Sequence, residues 1–255
     1  EKGSMLNRLD PLAEWHGGGN GTAGGMLGGI TYLESVNPCE SNLILVGAGD
    51  GTVRVWRNYT DRDNVRLAAS WRAVPCNAAA SSVNGSRLKQ RRSSKVSPTL
   101  MGYCAVYSWQ QDTGLLYAAG DEASSPMLRI WDARSEQCIN SISTQFLAPI
   151  TAMGCDGHGL VSVVTGTADG CLATLDTRVR CSVVASHQPH QARVIATLLQ
   201  PGGDANTLVS GSVQGDIKWF DIRKGFHHAF RQVVAHKGVL SCLTAHRLQP
   251  LLAAG

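Results

Sequence analysis

Short apolar runs separated by tight turns fill most of this chain, and four stretches share one pattern. Each has an apolar run, a patch of small residues, a turn, and a second run in which the side chains alternate in polarity. Alternation with period two is typical of a β-strand whose two faces differ. The pattern predicts four β-hairpins, and the first part of a fifth copy stands at residues 251–255. The four hairpins lie at residues 43–57, 115–132, 160–176 and 208–221.

Further apolar segments flank each hairpin and complete a unit of four strands. A segment before each hairpin predicts an inner strand, and a segment after it predicts an outer strand. The predicted inner strands are residues 30–33, 103–106, 150–153, 194–199 and 240–243. The predicted outer strands are residues 67–71, 138–143, 182–186 and 230–234.

The repeats are evenly spaced, and the spacing identifies the fold class. Asp132 and Asp176 are 44 residues apart, and Asp176 and Asp221 are 45 apart, whereas Arg57 and Asp132 are 75 apart because residues 76–98 form an insertion. Four strands in about 40–45 residues are typical of one blade of a WD-repeat β-propeller. We therefore predict an all-β propeller with four blades and the start of a fifth. The predicted blades are residues 29–75, 100–146, 148–187, 192–235 and, in part, 237–255.

The most regular positions of the repeat predict architecture and not chemistry. The dipeptides Asp50-Gly51 and Asp169-Gly170, with Gly215 after Gln214, supply the positive φ that a two-residue hairpin turn needs. A typical WD blade also has a histidine before its first strand that bonds the turn aspartate. Leu175 takes the tryptophan position in one blade. The residues assigned to this blade signature are Asp50, Gly51, Trp56, Trp131, Asp132, Asp169, Gly170, Asp176, His190, Gly215, Phe220, Asp221 and His236.

Three segments carry a resemblance to one family of WD-repeat proteins. They are DGTVRVWRNY at residues 50–59, WQQDTGLLYAAGD at residues 109–121, and LVSGSVQGDIKWFDIRK at residues 208–224. In the same order, they resemble blades of the C-terminal propeller of the Raptor family, the scaffold subunits of TOR complex one. The resemblance runs from about residue 30 to residue 255.

The resemblance implies a non-catalytic scaffold that recruits substrates to the TOR kinase in nutrient and growth signalling. The expected partners are the TOR kinase complex and its substrates, and the expected location is the cytoplasm, with recruitment to the lysosome or vacuole surface. A family propeller has seven blades, so this chain would form an incomplete one. The caspase-like and helical-repeat parts of the family, which mainly bind kinase and substrate, have no counterpart in this sequence. No binding residue is therefore carried across.

Composition, charge and cysteine content limit the classes of function that the sequence supports. A net charge of +4, spread along the chain apart from a cluster at residues 87–95, does not predict a nucleic-acid partner. No apolar stretch approaches the length of about 20 residues that spans a bilayer. The eight cysteines include no C-x-x-C pair, which favours reduced thiols in a cytosolic protein. A generic WD-repeat adapter, such as a ubiquitin-ligase substrate receptor, is the alternative function, and an RNA- or chromatin-associated propeller is another.

Enzymatic and cofactor chemistry finds little support in the sequence. The glycines at positions 19, 21 and 24 match G-x-G-x-x-G, but no strand precedes them and no helix follows. His187 and His190 near Cys181 have spacing that is weak for a metal site. No nucleophile motif and no set of Ser, His and Asp is identifiable. We expect no enzyme activity, cofactor, metal or small-molecule substrate.

Two segments lie outside the repeat. Residues 1–28 are a glycine-rich, low-complexity leader, which we expect to be disordered. The insertion at residues 76–98 contains the basic run RLKQRRSSKVSP, which favours a solvated loop. The same run also fits a regulatory site, with Ser94 as the acceptor for a basophilic kinase and Ser97 as a proline-directed acceptor. A contact of this run with nucleic acid or acidic lipid is a third interpretation.

Overall fold

A computed structural model shows the chain as a series of small antiparallel sheets. It describes residues 29–36, 43–61, 63–75, 105–120, 126–155, 162–178, 183–199, 206–235, 237–246 and 249–255. These ranges hold eighteen strands and one short 3₁₀ helix at Ile222–Lys224. In the same ranges, no helix has both the length and the apolar character needed to cross a membrane. The leader and the insertion, with Ser94 and Ser97, lie outside the described residues.

Four sheets of four strands follow one another along the chain, and we call them blades one to four. In each, consecutive strands pair antiparallel in sequence order. Blade one contains β1 (Ile30–Val36), β2 (Leu43–Ala48), β3 (Thr52–Arg57) and β4 (Arg66–Arg72). Blade two contains β5 (Val106–Gln110), β6 (Leu115–Ala119), β7 (Met127–Asp132) and β8 (Gln137–Ser143). Blade three contains β9 (Ile150–Cys155), β10 (Ser162–Thr167), β11 (Leu172–Asp176) and β12 (Val183–His187).

Blade four and the start of blade five complete the series. Blade four contains β13 (Val194–Leu199), β14 (Thr207–Ser212), β15 (Asp216–Asp221) and β16 (Arg231–Val234). Blade five has two paired strands, β17 (Leu243–Ala245) and β18 (Leu252–Ala254). The first strands of successive blades, β1, β5, β9, β13 and β17, lie next to one another. The predicted fold class is confirmed: the chain is a WD-repeat propeller segment of four blades and the start of a fifth.

The blades are equivalent at the tryptophan position of the repeat. Trp56, Trp131, Leu175 and Phe220 are each the penultimate residue of the third strand of their blade. Each pairs with an apolar residue of the second strand, such as Ile44 opposite Trp56. Leu175 and Phe220 are fully buried. An aliphatic or phenyl side chain therefore fills the space that an indole takes in the other two blades.

Two inner strands begin later than the sequence pattern predicts. Strand β5 begins at Val106, with Ala105 outside it, and β17 begins at Leu243 and not at residue 240. Residues 103 and 104 lie outside the described residues. The reason is a backbone contact with the preceding blade. The N–H of Ala105 donates to the carbonyl oxygen of Gly49 at 3.2 Å, and that of Leu240 donates to Val213 at 3.3 Å. These apolar residues dock on the preceding hairpin before the strand starts.

The turn between the second and third strands has one geometry in blades one, three and four. Gly51, Gly170 and Gly215 have φ of 86°, 91° and 87°. Each donates its N–H to the carbonyl oxygen three residues earlier, at 3.0–3.2 Å. The prediction of a two-residue turn is wrong. In such a turn the residue with positive φ is one of the two central residues of the turn. Here the glycine is the last of four residues, as in a type I turn followed by a left-handed residue.

Adjacent blades approach closely at a glycine of the second strand. A Cβ atom on Gly47 would lie 2.5 Å from the ring of Tyr107, which belongs to the first strand of blade two. Gly166 has the same relation to Val194 of blade four, at 2.4 Å. The Tyr107 hydroxyl continues past the glycine and donates to the carbonyl oxygen of Ala48 at 2.7 Å. Burial, and secondarily the charge of Asp50, raise the pKa of this phenol.

Candidate interaction sites and the buried polar network of blade four

A chain of hydrogen bonds, which we call the blade-four network, joins Ser210, His190 and Asp216. His190 precedes β13, Ser210 lies on β14, and Asp216 begins β15. His190 Nδ1 is 2.7 Å from Asp216 Oδ2, and His190 Nε2 is 2.7 Å from Ser210 Oγ. The neutral imidazole satisfies both contacts when Nδ1–H donates to the carboxylate and Nε2 accepts from the hydroxyl. Ser212 also donates its hydroxyl to Asp216.

The blade-four network has the connectivity of a serine hydrolase triad, but its burial rules out that use. Ser210 has no exposed surface and His190 is 1% exposed, so no acyl group can reach the hydroxyl. Nucleophilic catalysis requires an open site beside the nucleophile, with donors for the developing oxyanion. The network instead ties the segment before β13 to the hairpin β14–β15.

Sequence reasoning missed Ser210 and Asp216. Gln214 occupies the position at which the turn aspartate of this blade would stand. The structure shows that Asp216, directly after the turn glycine, contacts the histidine instead. The signal available in the sequence was Ser-x-Ser at the end of the second strand of the hairpin, followed by an aspartate at the start of the third strand.

The environment of the network shifts two pKa values. Burial lowers the pKa of His190, and the neighbouring Asp216 opposes this only in part. Burial also acts to raise the pKa of Asp216, but the hydrogen bonds from Ser212 and His190 outweigh it and the net pKa is lowered. Both residues are therefore held in the neutral-histidine, ionised-aspartate form at neutral pH.

The lowered pKa of His190 predicts a loss of stability in mild acid. A histidine whose pKa is lower in the folded state contributes stability above its unfolded pKa, about 6.5, and loses it as the pH falls. We expect the wild-type melting temperature to fall between pH 7.5 and pH 5.5, and to fall less in His190→Leu. Thermal melts of both proteins at the two pH values test this, and parallel pH dependence in the two would contradict it.

The remaining aspartates of the blade signature stabilise turns. Asp50 accepts from the N–H and the hydroxyl of Thr52, at 2.9 and 2.7 Å. The aspartates that end the third strands each accept the backbone N–H two residues later, at 2.9–3.0 Å. The guanidinium of Arg178 also bonds Asp176 and lowers the pKa of that carboxyl to about 2. The aspartates in this group are Asp132, Asp176 and Asp221.

Asp169 and the predicted histidines make local contacts and do not form a shared site. Asp169, in the turn of blade three, accepts from the hydroxyl of Thr167. His187 packs against His227 in a tilted arrangement, with ring centroids 4.4 Å apart and ring planes at 47°, and does not join His190. Across the described residues, no group of three His, Cys, Asp or Glu side chains is placed to hold a metal ion. His236 and Cys181 lie outside the described part of the chain.

The first strands of the blades line a central channel, which is the candidate ligand-binding surface. One section has a cavity of about 330 Å³ between residues from the early part of these strands, including Thr31, Thr151 and Ile195. A second section of about 270 Å³ lies between residues from the later part, including Glu34 and Cys155. Ligand-binding clefts typically have volumes of about 300–1,000 Å³, so the two sections stand at or just below the lower end of that range.

The four equivalent sheets, their shared turn and the adjacent first strands define a WD-repeat β-propeller. Comparison with known proteins narrows this class. The chain is 31% identical over 229 residues to Regulatory-associated protein of TOR 1 of Arabidopsis thaliana, a match that covers 89% of this chain and 15% of that protein. It is 28% identical over 228 residues to Target of rapamycin complex 1 subunit mip1 of Schizosaccharomyces pombe, with 89% and 15% covered.

A solved structure agrees with these relatives. The crystal structure of Chaetomium thermophilum Raptor matches the chain with a TM-score of 0.72 at 27% identity, covering 89% of this chain and 18% of the other. No protein-family model matches the chain. The chain is a homologue of the Raptor proteins, which confirms the resemblance. It spans about 15% of the length of the curated relatives it matches.

Proposed function

We propose that this propeller is part of a TOR complex one scaffold subunit and provides a rigid surface for protein partners. The observation that carries this is the match to a regulatory-associated protein of TOR over 89% of the chain. The similar Raptor fold supports it. The proposed partners are the TOR kinase complex and its substrates, and the proposed role includes bringing substrates to the kinase. The burial of Ser210 supports a non-catalytic role.

Affinity purification of the full-length protein tests the proposed partners. With the protein tagged at its own locus, we expect mass spectrometry to recover the TOR kinase. Gly170→Ala, which should disturb blade three, should lower this recovery at equal abundance, whereas Gly114→Ala should leave it unchanged. Recovery of ubiquitin-ligase subunits without the TOR kinase would favour the alternative of a substrate receptor.

Substrate recruitment and location are separate parts of the proposal. Depletion of the protein should lower phosphorylation of TOR kinase substrates without lowering the amount of the kinase. Fluorescence microscopy of the tagged protein should show cytoplasmic signal that concentrates on the lysosome or vacuole when nutrients are supplied. Unchanged substrate phosphorylation after depletion would remove the recruitment role.

The insertion is proposed as a regulatory segment on sequence grounds alone. Ser94 follows two arginines and Ser97 precedes a proline, which fit a basophilic and a proline-directed kinase. Each phosphate adds about 1.5 to 2 negative charges beside the cationic run. Phosphopeptide mapping in fed and starved cells should find at least one of the two sites modified, and an unmodified insertion in both conditions would refute the idea.

A further inference from the structure

A cleft of about 250 Å³ lies between the sheet of blade one and one end of blade two. All four strands of blade one contribute to it, and blade two contributes β5 and the turns β5–β6 and β7–β8. This volume is below the range of about 300–1,000 Å³ that is typical of pockets for drug-sized ligands, so the cleft suits a smaller molecule. We call it the interblade cleft and define it by its apolar residues Val36, Leu45, Val55, Ala69 and Trp109 and its charged residues Asp112 and Arg134.

The corresponding junction between blades three and four is filled by a phenyl ring of the chain itself. There the connection between the third and fourth strands spans residues 222–230, and Phe226 within it is 1% exposed. Phe226 belongs to a buried cluster with Leu172 of blade three, and Ala185 packs against that cluster. Ala185 is the counterpart of Ala69, because each pairs with the residue before the tryptophan position of its blade. In blade two the connection is residues 133–136, which include no aromatic residue, so the connection supplies no such ring to the interblade cleft.

Arg134 offers the interblade cleft a cation that its counterparts in the next two blades do not offer. All three arginines stand two residues after the aspartate that ends the third strand. Arg178 and Arg223 each donate to Oδ2 of that aspartate, at 2.6 and 2.9 Å. In blade two the hydroxyl of Ser135 donates to Asp132 Oδ2 instead, at 2.9 Å. Within the described part of the chain, the guanidinium of Arg134 forms no hydrogen bond or ion pair.

Asp112 is the second charged residue that lines the interblade cleft. Among the described residues its carboxylate has no ion-pair partner, and it does not pair with Arg134. Asp112 and Arg134 are exposed, whereas Val36, Leu45 and Val55 are buried, so the charges stand at the mouth and the apolar groups form the floor. A carboxylate accepts hydrogen bonds from an ammonium group, and a guanidinium donates them to a carboxylate. The mouth is therefore complementary to a molecule that carries both an ammonium and a carboxylate.

We propose that the interblade cleft binds a free aromatic α-amino acid of the size of phenylalanine. The phenyl group enters the apolar floor, as the ring of Phe226 does at the junction of blades three and four. Asp112 accepts from the ammonium group, and Arg134 donates to the carboxylate, for which the planar guanidinium has matching geometry. A peptide terminus carries only one of these two charges, so it satisfies only half of the mouth. This site goes beyond the proposed scaffold role and does not depend on which complex the protein joins.

A titration followed by NMR tests the proposal on the full chain. The signal is the indole N–H of Trp109, which donates to Gln111 Oε1 at 2.8 Å and is assigned by its loss in Trp109→Phe. The probes are phenylalanine, N-acetylphenylalanine, which has no ammonium group, and phenylalaninamide, which has no carboxylate. We expect a saturable shift with phenylalanine, and an affinity about tenfold lower or less with each capped compound. Equal affinities for the three compounds, or no shift at millimolar phenylalanine, would overturn the proposal.

Substitutions of the two charges assign each one to its half of the ligand. Arg134→Gln should weaken phenylalanine binding about tenfold but leave phenylalaninamide binding unchanged, because the amide has no carboxylate for the guanidinium to bind. Asp112→Asn should weaken phenylalanine binding and leave N-acetylphenylalanine binding unchanged. Arg178→Gln is the matched control, because its guanidinium is bound by Asp176 in blade three, and it should bind phenylalanine as the wild type does. An Arg134→Gln protein that loses affinity for both compounds equally, or for neither, would contradict the assignment.

Ala69→Leu tests whether the ring enters the floor of the interblade cleft. Ala69 is half-buried and packs against the apolar core of blade one, so a larger side chain there takes up space in the cleft. Filling a cavity with apolar atoms is a common route to higher stability, so the melting temperature should not fall. Phenylalanine should no longer shift the Trp109 signal. Wild-type phenylalanine affinity in an Ala69→Leu protein that folds, by its melting curve, would place the ligand elsewhere and sink the proposal.

Discussion

Gly170→Ala is expected to destabilise the chain by about 3 kcal/mol or more, a large effect for the addition of one methyl group. Gly170 has φ of 91°, a conformation that residues with a Cβ atom adopt at a cost. A Cβ atom there would also lie 2.2 Å from the carbonyl oxygen of His190 and 2.7 Å from its carbonyl carbon. Both are backbone atoms that cannot rotate away. Urea denaturation of the full chain measures the loss.

Gly114→Ala is the matched control for this prediction. Gly114 also has positive φ, 69°, but a Cβ atom there would meet nothing within 4 Å. It should cost only the left-handed conformation, about 1–2 kcal/mol. The difference in free energy of unfolding between the two variants therefore measures how much the packing of the Gly170 turn against His190 contributes to stability. Equal losses in the two variants would show that this packing contributes little.

The same docking occurs in three blades and explains why the turn glycine recurs in the sequence. The carbonyl oxygen of Gly51 accepts from Ala73 at 2.8 Å, that of Gly170 from His190 at 3.3 Å, and that of Gly215 from Ala235 at 2.8 Å. In each case the donor lies just after the outer strand of the same blade. The glycine thus closes the hairpin and also anchors the connection to the next blade.

The fold could be predicted from the sequence because the strands of one blade are close to one another in the chain. Its four strands follow one another within about 45 residues, and each hairpin shows in the alternation of its own side chains. The turn glycines were also found, because positive φ favours glycine wherever it occurs. The turn type was wrong, since residue identity at Asp50-Gly51 does not distinguish a central from a terminal left-handed residue.

Contacts between blades could not be predicted in this way. The starts of β5 and β17 depend on hydrogen bonds to Gly49 and Val213 in the preceding blades, so local apolar character misplaced them. The later section of the central channel is lined by both Glu34 and His246, which are more than 200 residues apart in the chain. No spacing rule within one repeat links such residues. They come to line one cavity only because the first strands of the blades lie next to one another.

The blade-four network was missed for a related reason. His190 stands before β13, whereas Ser210 and Asp216 stand on the next two strands, and the three meet only when the hairpin folds back. The equivalent of Ser210 in blade one is Val46, and the equivalent of Asp216 is Thr52. Comparison of the repeats therefore does not indicate that Ser210, His190 and Asp216 form a network. The side chain of Val46 cannot form a hydrogen bond, so blade one cannot form the chain of bonds that Ser210, His190 and Asp216 form in blade four.

His190→Leu should therefore destabilise the chain by about 3 kcal/mol. The leucine fills much of the space but leaves the Ser210 hydroxyl buried without its partner and removes one of the bonds to Asp216. Each buried polar atom left unpaired costs about 1–3 kcal/mol. Arg178→Gln is the control, because it breaks an ion pair of 2.6 Å that lies at the surface. It should not change the denaturation midpoint measurably.

A double-mutant cycle with Ser210→Ala shows whether the two side chains act as a unit. In the wild type, Ser210→Ala leaves His190 Nε2 buried without its hydrogen bond and should destabilise the chain. In His190→Leu the serine hydroxyl is already unpaired, so removing it should cost little or should stabilise the protein. The expected coupling is about 1–2 kcal/mol. Additive losses would mean that Ser210 and His190 contribute separately, and that packing, not the hydrogen bond, holds this blade.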